Sequence, residues 1–314
     1  MKAVVQRRYG SAVLGDLDVP VPRQDEVLLE VRAAGVDMGT WHLLSGRPYL
    51  LRVIGFGFRG PKSPVPGMDV SGVVREIGPG VTGFAVGDEV FGVCSGSFAE
   101  YAVAPVSKLA RKPEVLSFTE AAAVPISGGT ALQALRGVHP GQRVLVLGAG
   151  GGVGSYGVQI ARALGAHVTG VCSTPKVELV RELGAHEVVD YTVADFTGTY
   201  DLILDCGGHR SLSRLRKALT PAGTLVLVGS ETTEPLLGGF DRALRAMALN
   251  PFVSQKLVTL MSRERGADYD ELRVMIEAGA VKPAVDRTFP LSEAVDAISY
   301  VYTRRSAGKV VVTI

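Results

Sequence analysis

The stretch Gly141–Arg162, GQRVLVLGAGGGVGSYGVQIAR, joins a short apolar strand, a glycine-rich turn and the start of a helix. The strand reads from Arg143 to Leu147 and is apolar after its first residue, as expected for a parallel strand covered on both faces. The turn carries Ala149, Gly151 and Gly154 at the spacing of a GxGxxG fingerprint, with alanine in the first glycine's place. Gly151 and Gly152 let backbone N–H groups approach a pyrophosphate, Gly154 lets the helix lie against the strand, and the helix start adds partial positive charge. The expected ligand is a dinucleotide. A glycine turn that binds nothing is the competing reading of the motif alone.

Outward from this run the strand pattern recurs, at His167 to Cys172, Glu187 to Val189, Tyr200 to Leu204 and Gly223 to Val228. Helix-like segments separate the first two and the last two, which predicts an α/β fold with a doubly wound parallel sheet. From Met1 to about Glu120 the pattern is instead short strands between glycine and proline turns: Lys2 to Val5, Val27 to Ala33, Val70 to Ile77, Glu89 to Val93 and Phe98 to Ala102. Thr119 followed by Glu120 and alanines suggests a helix start. After Gly266, helices are expected at 268–278 and 291–303, an extended piece at 281–289, and a closing strand at 309–314 that rejoins the first domain. The predicted domains are 1–120, completed by 267–314, and 121–266.

Two segments fit neither pattern: Leu43 to Val65, and Glu231 to Gln255 with its amphipathic stretch Phe240 to Leu249. Each either borders a cleft or is a surface connection packed on the core.

With 314 residues, 46% hydrophobic and 20% charged, the chain is long and apolar enough for two cores. A net charge of +2, with no basic stripe, gives no case for nucleic acid. Three scattered cysteines, Cys94, Cys172 and Cys206, argue against a disulfide framework and for a reducing compartment. The start, MKAVVQRRYG, lacks a signal-peptide core, and no apolar run reaches about eighteen residues. A cytoplasmic protein without a membrane partner is expected.

The glycine run also carries Gln142, Leu145, Gln159 and Arg162, and is supported by GVTGFAVGDEVFG from Gly80 and TEAAAVP from Thr119. On these motifs the chain resembles the medium-chain dehydrogenase/reductase superfamily, in its zinc-free quinone oxidoreductase (zeta-crystallin-like) branch. The resemblance spans essentially the whole chain. It implies a GroES-like β-barrel catalytic domain first and a six-stranded Rossmann domain second. In zinc-dependent members Cys, His and Cys hold the catalytic metal; the matching positions here are Asp37, Met68 and Ile126. Methionine and isoleucine cannot complete a catalytic zinc site, and only Cys94 stands where a structural zinc lobe needs four cysteines, so no metal is expected.

The end of the second strand, Val171-Cys172-Ser173-Thr174-Pro175-Lys176, lacks the acidic residue that accepts from a ribose 2′-OH. Ser173, Thr174 and Lys176, with Tyr191 supplied by the resemblance, favour a 2′-phosphate and hence NADPH; Ser173 and Thr174 equally suit a helix cap. The resemblance adds Thr130, Ala149, Gly151, Gly152, Val153, Gly154, Cys206, Gly229 and Ser230 to the cofactor contacts. Asp205 is either part of that edge or a structural carboxylate.

Without a Lewis acid the better acceptor is one that already delocalises incoming charge, such as a quinone or an α,β-unsaturated carbonyl compound. The expected reaction is NADPH-dependent hydride transfer. Asp37, His42 and Tyr49 are the candidate catalytic residues, water being an equally good proton donor, and Trp41 and His42 alternatively packing residues. The other readings are an NADP-dependent alcohol dehydrogenase-like enzyme and a weakly catalytic NADPH-binding structural or redox-sensing protein. KLVTLM, Lys256 to Met261, is either an edge strand pairing across a homodimer or an internal sixth strand.

Overall fold

The computed structural model of the chain describes residues 1–228 and 236–314. It divides into two compact units: Met1–Gly129 with Arg263–Gly279 and Pro283–Ile314, and Thr130–Ser262 with Ala280–Lys282.

The first unit is organised around the eleven-residue strand Glu26–Val36, EVLLEVRAAGV. Its apolar run is buried because both of its edges are paired. Asp69–Ile77 lies antiparallel along one edge. Two strands share the other, Tyr101–Pro105 against its first half and Lys309–Thr313 against its last, where Val310 faces Val36. The full sheet has seven strands, extended on one side by Val285–Pro290 and on the other by Glu89–Val93 and Leu109–Arg111. Its core is valine-rich, with Val27, Val31, Val70, Val74 and Val90 packed together. The closing strand thus rejoins the first unit, as expected.

Some local expectations shift. Ser11–Asp16 pairs with Lys2–Arg8 in a separate hairpin. The sequence hides this strand because Val13 (65% exposed) and Leu14 (46%) break the alternation of a half-buried strand. The strand expected at Phe98 to Ala102 lies at Tyr101–Pro105, while Phe98 and Ala99 are buried and Ala99 forms a lone bridge to Ala3. The helix expected from Thr119 opens earlier. It is Phe118–Ala122, capped by a reciprocal Ser117–Glu120 box. This helix stays with the first unit, so the division falls later than 121: Ala122 and Ala123 pack on Ala33 and Val311. The approach is so close that a Cβ on Gly35 would overlap the Ala122 carbonyl oxygen.

Among the described residues the second unit contains a parallel sheet of six strands. Numbered along the chain they are Arg143–Leu147, His167–Cys172, Glu187–Asp190, Tyr200–Asp205, Leu219–Leu227 and Lys256–Thr259. Their spatial order is 3-2-1-4-5-6, the doubly wound arrangement that binds dinucleotides where the order reverses. That reversal lies between the first and fourth strands. Helix Gly152–Ala163 packs closely enough on the sheet that a Cβ at Gly157 would lie 2.8 Å from the Leu204 methyl Cδ2. Lys256–Thr259 is the sixth strand and, among the described residues, forms the sheet's edge, pairing with Leu219–Leu227 alone. The amphipathic stretch forms helix Phe240–Leu249.

Candidate functional site

In the second unit the glycine turn leaves the first strand at Gly148 (φ +77°) and enters helix Gly152–Ala163 through its N-cap Gly151. The cap has no side-chain acceptor, so nothing from Gly151 caps the first-turn N–H groups, which include those of Gly152, Val153 and Gly154. A Cβ at Gly154 would overlap the Gly148 carbonyl oxygen and lie 2.8 Å from Ala149 Cα. Glycine there is what lets the helix start sit directly on the turn. Ala149 is fully buried beneath, and a Cβ on Gly170 would lie 3.2 Å from its methyl, which explains why the first fingerprint position carries a methyl and no more. The turn, with its uncapped helix start at the carboxyl edge of the sheet, fits the pyrophosphate of a dinucleotide.

Next to it, the stem of Lys176 lies over Gly150, where a Cβ would stand 2.7 Å from Lys176 Cβ. Ser173 is half-buried and Thr174 exposed at the end of the second strand, and Tyr191, 54% exposed, follows the third. The parallel register sets Asp190 opposite Cys172, which brings a carboxylate to the end of the second strand from its neighbour. No sequence pattern announces this, because the required residue arrives from a different strand. Asp190 Oδ1 accepts from the Thr192 N–H (2.9 Å) and hydroxyl (2.7 Å), and the Thr174 and Thr192 hydroxyls are 2.9 Å apart. Hydrogen bonds from Thr174 and Thr192 hold the Asp190 carboxyl below the usual range. Burial, aided by Asp190 and opposed by Lys176, pushes the nearby Cys172 thiol up to about 11, so it stays protonated.

On the other side of the turn, Cys206 is 3.5 Å from the position a Cβ on Gly148 would take. Asp205 is fully buried and both its oxygens are engaged. Oδ1 accepts from the Gly207 (3.1 Å) and Gly208 (3.0 Å) N–H groups, and Oδ2 from Arg242 (2.5 Å). Arg242 also donates to the Arg210 carbonyl (2.9 Å). Asp205 is therefore a structural carboxylate that shapes the strand-end turn. Thr130 is buried and donates to the Ser262 hydroxyl at 3.0 Å. Gly229 and Ser230 lie outside the described residues.

In the first unit, Asp37 is the N-cap of helix Met38–Ser45, accepting at Oδ1 from the Thr40 N–H (2.9 Å) and hydroxyl (3.2 Å). Its Oδ2 is buried without a hydrogen-bond partner among the described residues. His42 Nδ1 lies 2.6 Å from the Arg47 carbonyl oxygen, an acceptor, so Nδ1 carries the proton and Nε2 is left as a lone pair. Burial lowers the His42 pKa, more than the Arg47 carbonyl and Asp37 raise it, and the ring is neutral at pH 7. Tyr49 is 38% exposed and stacks under the Arg52 guanidinium, 4.7 Å from its ring centre. A cavity of about 350 Å³ in this unit is lined by Leu43, Pro66, Met68 and Val93 among others.

The position matching the second zinc ligand, Met68, has its Cε 3.7 Å from a Cβ built on Gly39, while the Ile126 N–H donates to Asp69 Oδ1 at 2.8 Å. The three positions supply a carboxylate, a thioether and an alkyl group, a donor set that does not fit catalytic zinc. Among the described residues no group of three or more His, Cys, Asp or Glu side chains is arranged to hold a metal ion. No described helix is long and apolar enough to cross a membrane.

Residues 23–114 match the family described as alcohol dehydrogenase GroES-like domain, and residues 183–312 that described as zinc-binding dehydrogenase. The chain is 31% identical to a chloroplast envelope quinone oxidoreductase homolog of Arabidopsis thaliana, over 99% of this chain and 98% of the relative. The chain belongs to the medium-chain dehydrogenase/reductase superfamily, in its quinone oxidoreductase branch. This medium-chain dehydrogenase/reductase is also 33% identical to an NADPH-dependent alkenal/one oxidoreductase of the same plant, over 99% of this chain and 79% of that one. Among solved structures it is similar to a mycobacterial protein complexed with NADPH, with a TM-score of 0.83, 26% identity and full coverage of both chains. The second description carries the word zinc, yet the donor set above departs from it within the first unit.

Proposed function

We propose that this protein is a metal-free, NADPH-dependent oxidoreductase that reduces quinones or α,β-unsaturated carbonyl compounds. The observation that carries the reading is the glycine turn with its uncapped helix start on a 3-2-1-4-5-6 sheet, in a chain whose zinc-ligand positions are Asp37, Met68 and Ile126.

Residues 151–154 hold the pyrophosphate by backbone N–H groups, and Lys176, Ser173 and Tyr191 receive the far ribose, with Lys176 favouring a 2′-phosphate. Ala149, Thr130 and Cys206 shape the wall of the site; Gly229 and Ser230, which the resemblance adds to the cofactor contacts, lie outside the described residues. The bound nicotinamide supplies hydride; this chain's residues orient it, exclude water and stabilise charge. The cavity combines the apolar Leu43, Pro66, Met68 and Val93 with the charged Lys62, Lys108 and Glu264, a lining that suits an acceptor with an apolar body and polar carbonyl oxygens. Asp37 presents a buried carboxylate oxygen without a partner among the described residues, and Tyr49 a phenol near the surface. The single N–H of His42 is engaged as donor to the Arg47 carbonyl, so we assign the final proton to solvent.

Lys256–Thr259, with one strand neighbour among the described residues, supports a homodimer formed by pairing of that edge. Free thiols at Cys94, Cys172 and Cys206 are consistent with the cytoplasm. Steady-state oxidation of NADPH against a panel of quinones and enones tests the reading. Cofactor binding without turnover on any acceptor would leave the weakly catalytic alternative standing.

A further inference from the structure

We propose that Asp190 determines how far this protein discriminates between 2′-phosphorylated and 2′-hydroxyl nicotinamide dinucleotides, by turning the Thr174 hydroxyl into an acceptor at the ribose end of the site. The inference rests on the reading of the glycine turn as the dinucleotide site.

The polarity of the hydrogen-bond chain carries the argument. A carboxylate only accepts, so the Thr192 hydroxyl, 2.7 Å from Asp190 Oδ1, spends its one proton there. The Thr174 hydroxyl is 2.9 Å from that of Thr192, and with the Thr192 proton committed, the single Thr174 proton turns inward, toward the Asp190 carboxylate and the Thr192 oxygen. Thr174 therefore directs its proton inward and offers lone pairs outward. A ribose 2′-OH donates to such a group; a 2′-phosphate, rich in acceptors, finds lone pairs facing lone pairs. The charge of Asp190 adds to this, since a like charge opposes the phosphate that Lys176 attracts.

The placement is fixed by the fold. Asp190 is in register with Cys172, the residue before Ser173 and Thr174, and it also accepts the Thr192 N–H at 2.9 Å, which pins the carboxylate in one orientation. Its ionised state is supported by the same hydrogen bonds, which hold its pKa below the usual range. Asp190 and Lys176 both act on the Cys172 thiol, in opposite directions, so the two charges face one locality. The second strand lacks the acidic residue of an NAD-preferring site, and the third strand supplies one that acts through two hydroxyls.

The test compares ADP-ribose with 2′-phospho-ADP-ribose, whose dissociation constants report the ribose end without turnover, in the full chain and in Asp190→Asn. Asparagine keeps the acceptor for the Thr192 N–H and removes the charge. The ratio of affinities should move toward the phosphorylated ligand by about tenfold, because the like charge that opposes the phosphate is gone. Thr174→Val, which leaves Asp190 in place and removes the outward-facing lone pairs, should move the ratio the same way by a smaller factor, with melting temperature recorded for both variants. A ratio unchanged within about twofold in both folded variants overturns the inference while the wild type still binds both ligands. Failure of the wild type to bind either ligand overturns the dinucleotide reading itself.

Discussion

Lys309 Nζ donates to Asp69 Oδ2 at 2.9 Å across 240 positions of sequence, with both side chains at most 1% exposed. The closing strand places the ammonium against the strand Asp69–Ile77, and the Ile126 N–H fills the second carboxylate oxygen at 2.8 Å. Burial pushes the Asp69 carboxyl up to about 6, against the pull of Lys309. Burial likewise draws the Lys309 ammonium down, but Asp69 and Asp37 outweigh it and the net shift is upward. The pair is ionised at neutral pH.

Breaking it from one side leaves an uncompensated buried charge. Asp69→Asn or Lys309→Met alone should each cost about 3 to 5 kcal/mol in denaturant unfolding of the first unit. The double variant Asp69→Leu/Lys309→Met should lose less than either single one, because no charge is then stranded. A double variant as unstable as the sum of the singles would contradict this account.

The pH dependence of His42 can be read from the chain's one tryptophan, since the Trp41 and His42 ring centres are 5.2 Å apart. The folded pKa of His42 is lowered, so between that value and the ordinary 6.5 the unfolded chain binds the extra proton and the folded one does not. Stability from His42 is therefore fully present above 6.5 and falls as pH drops through that window. Tryptophan emission should change with a midpoint below 6.5 and lose this transition in His42→Ala. A midpoint above 6.5 would refute the neutral, Arg47-bonded ring.

Two glycines of the turn should separate stability from binding. Gly154→Ala places a methyl on the Gly148 carbonyl, and it should lower both the melting temperature and dinucleotide affinity. Gly151 has φ −97° and ψ −178°, open to alanine, and a Cβ there would meet only the Gly148 oxygen at 3.3 Å. Gly151→Ala should hold its melting temperature within a few degrees while dinucleotide affinity falls by about tenfold, since the methyl intrudes where the pyrophosphate approaches. Equal losses of stability in both variants would argue against this division.

Metal removal should do nothing. Dialysis against a strong chelator is expected to leave quinone turnover unchanged, and elemental analysis of purified protein to find no stoichiometric zinc, because a thioether and an alkyl side chain stand at two of the three ligand positions.

The central elements of the second unit were legible in the sequence. Strand Arg143–Leu147, the glycine turn and helix Gly152–Ala163 follow one another within a few residues, and their signals, an apolar run, backbone freedom and a helical period, are local. His167–Cys172 was legible for the same reason, as was the foreign donor set at Asp37, Met68 and Ile126, which needs only residue identity. Ser11–Asp16 was not legible, since an exposed hairpin strand carries no alternation to read. Relations between chain segments that sequence spacing does not constrain emerged from the folded chain. Asp190 reaches Thr174 through the register of two parallel strands, Lys309 reaches Asp69 through the returning tail, and the His42 tautomer follows from where the Arg47 carbonyl falls. Periodicity is a property of one segment; hydrogen-bond polarity and charge pairing depend on distance in space, and packing alone sets that.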